Sequence, residues 1–202
     1  MDKCIARNLS AIAVLLLIAF TAMAQVKYFP EEAAGGDPRL DKFVDWYSVQ
    51  LTALKEPSLL EMANTPSSES YRFLWLRTFH HPIAIRLDVK ADGSSVLTTK
   101  ITSGEGGYEP GVLTVNTSRN LTQEQTQNIV KKIEEALFWS MPILDDGNTI
   151  GVDGAEWIVE GVKNGKYHVV TRWSPESGAI RELGLAFIHD LAKLSIPKNE
   201  MY

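Results

Sequence analysis

The tightest constraint on this chain is the dipeptide Asn164-Gly165, set between two runs rich in β-branched and aromatic residues, AEWIVEGVK and KYHVVTRW. A two-residue hairpin loop requires positive φ at both positions, and Asn-Gly meets that demand at low cost. Loop length then fixes the partners: Val162 faces Tyr167, Glu160 faces Val169, Ile158 faces Thr171 and Trp157 faces Arg172. One side of the hairpin carries Trp157, Val159, His168, Val170 and Arg172. The other carries Glu156, Ile158, Glu160, Val162, Tyr167, Val169, Thr171 and Trp173. Neither side is cleanly apolar, so both are expected to be partly covered.

Upstream, Tyr71–Phe79 (YRFLWLRTF) is apolar on both alternating faces, the mark of a strand central in its sheet. Tyr71, Phe73, Trp75, Arg77 and Phe79 share one face of it. His80-His81-Pro82 turns the chain into Ile83–Lys90. A three-residue loop, Ala91-Asp92-Gly93 with Gly93 left-handed, aligns Leu87 with Leu97 and Ile83 with Ile101, whereas a one-residue slip would expose the apolar set. Ser103–Gly111 holds four glycines and a proline in nine residues and is a loop. Val112–Asn116 follows as a strand.

Helices fall around this sheet. Asp37-Pro38 supplies an N-cap and a first-turn proline for a helix over 37–56, with Leu40, Phe43, Val44, Tyr47, Leu51 and Leu54 as its stripe and Pro57 as its stop. Ser58–Asn64 adds a short helical turn. Thr122 and Gln125 form a capping box for a helix to about Phe138, and Ile180–Ser195 makes the last. The fold class is α+β: an antiparallel sheet of about six strands, a four-strand meander plus a hairpin, packed with three helices. Residues 37–202 form a single domain with its sheet and helix core at 70–195, and 25–36 is a flexible leader.

The first 24 residues read as a signal peptide. Lys3 and Arg7 are its positive region, Leu9–Phe20 its apolar core, and Ala22-Met23-Ala24 its cleavage signature. About 12 apolar residues are too few for a membrane span, which needs roughly 20. An exported protein, periplasmic or secreted and cleaved after Ala24, is expected. The single cysteine, Cys4, lies within that stretch and before its apolar core, so neither a lipid anchor nor a disulfide is available. Losing Lys3, Arg7 and Asp2 from 20 basic and 25 acidic side chains leaves a balance of −6, which argues against nucleic acid as a partner.

Chemistry-bearing residues are few. His80 and His81 point in opposite directions if extended, and no His-x-x-x-His or paired-cysteine spacing exists, so no metal is expected. No Gly-x-Ser-x-Gly and no phosphate-binding glycine pattern occurs, and neither a catalytic residue nor a cofactor is assigned. Glu156 and Glu160 stand four apart on a strand, roughly 13 Å at about 3.3 Å per residue, too far for paired carboxylate chemistry and so solvated or ion-paired. Arg77, on an aromatic face, is expected to stack on a ring and pair with an acid, or to hold an anion at a pocket mouth. Candidate binding residues are Arg77, His80, His81, Glu105, Tyr108, Glu109, His168 and Arg172.

ESYRFLWLRTFHHPIAIRL, GEGGYEPG and DGAEWIVEGVKNGKYHVVTRWSP resemble stretches of an uncharacterised group of bacterial exported proteins. The resemblance covers about Glu69–Leu194 and implies a bacterial origin and a periplasmic or secreted address, with no activity attached. The leading functional expectation is a non-enzymatic exported binding or inhibitor-like module whose partner is an envelope or extracellular protein. The alternatives are a hydrolase-type enzyme with a dispersed site drawn from His80 or His81, His168 and an acid, and a structural component of the cell envelope.

Overall fold

The computed structural model describes residues 26–30, 33, 38–144, 151 and 153–202, with the backbone alone at 38–40, 42 and 43. The expected signal segment 1–24, its cleavage site, the Asp37 cap and residues 145–150 and 152 lie outside the described residues.

Six antiparallel strands form one sheet: β1 (Glu69–Arg77), β2 (Ile83–Val89), β3 (Ser95–Thr102), β4 (Leu113–Leu121), β5 (Ala155–Lys163) and β6 (Lys166–Trp173), in the order β4-β3-β2-β1-β5-β6. The hairpin register follows the Asn-Gly loop as expected, Val162 on Tyr167 and Trp157 on Arg172, with Asn164 at φ 51° and Gly165 at φ 80°. The β2–β3 loop takes the three-residue form, with Leu87 on Leu97, Ile83 on Ile101 and Gly93 at φ 80°. β1 lies between β2 and β5 and is buried from Ser70 to Arg77. The fold is α+β.

Both faces of the sheet are covered. On the first, Tyr71, Phe73 and Trp75 of β1 pack with Ile85, Leu87, Trp157, Val159 and Val170 beneath α3 (Gln123–Glu135) and α4 (Ala179–Leu185). Phe187 follows α4 in a π-helical turn, Ala186–Leu191, and stacks on Phe73 at 6.2 Å between ring centroids. On the second face, Leu74, Leu76, Ala84, Ile158 and Val169 meet Tyr47 and Leu51 of α1 (Pro38–Ala53) and Leu54 just after it. A short α2 (Leu59–Met62) is N-capped by Ser58.

Several boundaries differ from the sequence reading. Stretch 25–36, expected as a flexible leader, sends Tyr28 and Phe29 into the second core, because two aromatics bury far more apolar area than the surrounding acidic and glycine residues suggest. β4 runs to Leu121 rather than Asn116; its residues 116–120 are polar and exposed on an edge, so no apolar alternation marks them. α3 ends before Phe138 because Leu137 adopts a left-handed conformation, φ 53°, whose N–H closes the last turn on Glu134 O at 2.9 Å. The last helix ends at Leu191, and Lys193 at φ 56° turns the chain away. Phe79, placed by periodicity on the aromatic face, lies beyond the end of β1 and is 50% exposed.

The second face also holds a buried charge network. Arg72 of β1 donates to Glu160 Oε2 through Nε (2.8 Å) and Nη2 (2.6 Å), and to Pro57 O through Nη1 (2.7 Å). Glu56, in the connection between α1 and α2, lies 3.4 Å from Arg72, 2.9 Å from Arg86 Nε and 2.9 Å from Lys100 Nζ. Lys100 also donates to Lys55 O at 2.6 Å, and Tyr167 donates to Glu160 Oε1 at 3.0 Å. Arg86 in turn pairs with Asp88. Glu160 is therefore ion-paired, whereas Glu156, half-buried, departs from the solvated alternative and accepts from Thr171 Oγ1 at 2.7 Å.

Electrostatics follow from this geometry. Burial works against the charges of Arg72, Glu56 and Glu160. For Arg72 the Glu160 and Glu56 carboxylates prevail and hold the guanidinium above its ordinary value. For Glu56, burial is outweighed by Arg72, Arg86 and Lys100, which hold its carboxyl below the usual range. Among the described residues no cation stands beside Glu156 in this way, and burial pushes it up.

A depressed folded-state pKa gives stability that is present above the unfolded value and is lost as pH falls through the folded one. Glu56→Gln is therefore expected to cost about 3–5 kcal/mol in urea unfolding at pH 7, as removal of one partner from a buried pair does. The difference from wild type should shrink steadily below the ordinary Glu value of 4.5. A difference independent of pH would contradict the ion pairing.

Candidate functional site

β1 ends in a fixed geometry. Thr78 closes the strand by donating through its N–H (2.8 Å) and Oγ1 (3.0 Å) to Gly154 O, at the start of β5. Chain direction then reverses through Phe79, His80 and His81, and the Gly-rich loop 103–111 folds back onto this turn. Gly106 N–H donates to His80 O at 2.8 Å and Gly107 N–H to Thr78 O at 3.1 Å. The loop base is itself paired, Ser103 N–H to Val112 O at 2.9 Å and Gly104 N–H to Pro110 O at 3.0 Å. From the second face, Gln50 of α1 donates Nε2 to Tyr108 O at 3.1 Å. Gly106 is required here: a Cβ would lie 2.6 Å from Arg77 O and 2.7 Å from Arg77 N, both backbone atoms that cannot move aside.

This strapping presents an aromatic pair to solvent. Tyr108 is 59% exposed and Phe79 50%, with ring centroids 6.2 Å apart. Glu105 and Glu109, both exposed, flank Tyr108 in sequence, and the Tyr108 N–H closes a turn on Glu105 O at 3.0 Å. Glycine content suggested a loop but not its rigidity, which comes from backbone bonds that no composition reveals.

Beside the loop lies a second group. The Arg77 guanidinium stacks 4.2 Å over Trp75 and pairs with Glu200 at 3.0 Å, the ring-and-acid arrangement expected of it. Burial draws Arg77 below its ordinary value against the pull of Glu200. His80 Nδ1 is 2.7 Å from the Tyr202 hydroxyl and its Nε2 3.5 Å from Glu200. His81 instead meets Gly104 O at 2.7 Å.

Thus Arg77, His80, His81, Glu105, Tyr108 and Glu109 gather at one end of the sheet, while His168 and Arg172 lie on β6 with β5 between them and β1. His168 Nε2 contacts Met141 O at 2.9 Å and its ring packs on Phe138; burial holds it below the usual histidine value. Arg172 donates to Ile143 O at 3.0 Å and Pro142 O at 3.1 Å, pinning the segment after α3 along β6. The three histidines invoked for a dispersed hydrolytic site keep separate partners. Among the described residues no group of three or more His, Cys, Asp or Glu side chains is placed to hold a metal, and no helix is long and apolar enough to cross a membrane. Glu200 and Tyr202 went unread because they are distant in sequence from the residues they meet and sit in no pattern.

No family model matches this chain, and no curated protein matches it.

Gly106→Ala should lift the loop off β1. Overpacking of this kind costs about 1–3 kcal/mol. Hydrogen exchange read residue by residue should show Gly107 and Tyr108 amides losing protection while β1 keeps its own. Unchanged protection would mean that the close approach does not hold the loop.

Proposed function

We propose that this chain is an exported, non-enzymatic binding module that engages a protein of the envelope or extracellular space through the Phe79–Tyr108 pair. The observation that carries the reading is an exposed aromatic pair on a loop strapped to the sheet by backbone hydrogen bonds. Aromatic side chains dominate the energetics of many interfaces, and a pre-ordered loop loses little entropy on binding. Glu105 and Glu109 beside the rings favour a partner pocket that is apolar at its centre and basic at its rim. The signal-like pattern over 3–24 supports export, and the resemblance to exported bacterial proteins agrees with it.

Tyr108→Ala is expected to leave stability within about 0.5 kcal/mol, as exposed positions do. In the same variant, capture of the partner from envelope extract on immobilised mature protein should fall about tenfold, the effect of losing roughly 1.4 kcal/mol at an interface. Undiminished capture would refute the loop as the contact surface, and a large fall in melting temperature would return Tyr108 to a structural role.

A further inference from the structure

Residues 198–202, a short 3₁₀ turn (Lys198–Glu200) and the two residues after it, rest in a cleft at the end of the sheet. The defined hydrogen bonds there run one way: the domain supplies the donors and the segment supplies the acceptors. Trp157 Nε1 and Trp75 Nε1 donate to Tyr202 O at 3.0 and 3.3 Å, and Arg181 Nη2 donates to Met201 O at 3.1 Å. Arg77 Nη1 donates to Glu200 Oε2 at 3.0 Å, and His80 Nδ1 lies 2.7 Å from the Tyr202 hydroxyl oxygen. Each arginine lies over an indole ring, Arg77 over Trp75 at 4.2 Å and Arg181 over Trp157 at 5.2 Å. Stacking on a rigid ring fixes the guanidinium before anything binds, so recognition of a carboxylate costs little ordering.

The segment does not saturate this cleft. Glu200 meets Arg77 through Nη1 alone, Nη2 donates to His81 O at 3.5 Å, and the buried Nε has no hydrogen-bond partner among the described residues, so the guanidinium is not fully engaged. Glu200 and His80 side chains remain 27% and 29% exposed, leaving the contact open to exchange. The donors are those of a peptide site, two indole N–H groups and an arginine for main-chain carbonyls, with a cationic corner for an acid.

We propose that this cleft is a docking site for an acidic, tyrosine-bearing segment of a partner protein, Glu-x-Tyr in pattern, and that residues 198–202 are its occupant in cis. No side chain of loop 103–111 enters the cleft's contacts, so this inference stands or falls separately from the Tyr108 surface. A tethered occupant competes at an effective concentration in the millimolar range. A free peptide therefore binds the wild-type protein with an affinity reduced by the fraction of time the cleft is open.

The test uses the full chain and the synthetic peptide Lys-Asn-Glu-Met-Tyr. Five tryptophans give five indole N–H resonances, of which those of Trp75 and Trp157 report occupancy directly. In the Glu200→Lys/Tyr202→Ala variant both resonances should move, and the peptide should return them towards their wild-type positions. The variant should bind the peptide at least about tenfold more tightly than wild type does. Replacing the peptide's Glu by Gln and its Tyr by Ala, or adding Arg77→Met to the variant, should abolish the return. The proposal is overturned if the two resonances stay where they are in the variant, or move and are not restored by peptide. It is equally overturned if the variant unfolds and peptide does not refold it, for the segment would then be part of the core.

Discussion

The docking of the N-terminal layer hangs on charges shut between it and the sheet. Arg72, Arg86 and Lys100 face Glu56, Glu160 and Asp88, three of each sign, so this network is balanced in formal charge. Such pairs contribute little stability relative to an apolar core of the same shape, because desolvation offsets attraction. Their effect lies in what they tie together. Glu56, Lys55 O and Pro57 O all come from the α1–α2 connection, and their partners come from β1, β2 and β3. One misplaced helix would strand several charges at once, so the network selects a single docking of α1 on the sheet. Residues before α1 join the same clamp, with Tyr28 donating to Glu56 O at 3.0 Å and Ser58 donating to Lys27 O.

That docking sets the geometry at the far end of β1. With α1 fixed, Gln50 reaches Tyr108 O, and the loop is held from the helix as well as from the strand. The first face contributes separately, through a core of contacting rings that runs from Phe187 through Phe73 to Trp75 and Trp157. Those two tryptophans then extend the core to the cleft, where their indole N–H groups are the donors that residues 198–202 satisfy. Scaffold and surface share side chains at this end, which is why an irregular region can be rigid.

Local pattern was enough for what depends on neighbours in sequence. Asn164-Gly165 set the hairpin register, Thr122 and Gln125 the α3 cap, and the apolar match of Leu87 with Leu97 the β2–β3 pairing. What depended on distant partners was hidden. Arg72 sits in an apolar run and looks like an interruption until Glu160, 88 residues on, is brought beside it by β1–β5 pairing. β4 lacks alternation because it is an edge strand, and Tyr28 and Phe29 are too short a run to carry a period. Of the candidate site, composition pointed to the loop and to Arg77 beside its ring. The pairing of Tyr108 with Phe79 required the turn that takes Phe79 out of the strand.

The clamp is tested most directly by a double-mutant cycle on its fully buried ion pair, Arg72 with Glu160. Arg72→Met and Glu160→Met each leave one charge buried without its main partner, while the double variant leaves neither. Coupled residues of this kind show interaction energies of about 0.5–3 kcal/mol. The network described here predicts a value at the upper end of that range, with the double variant more stable in urea unfolding than either single one. Losses that simply add would mean that the two charges are solvated independently, and that something other than their pairing holds the N-terminal layer on the sheet.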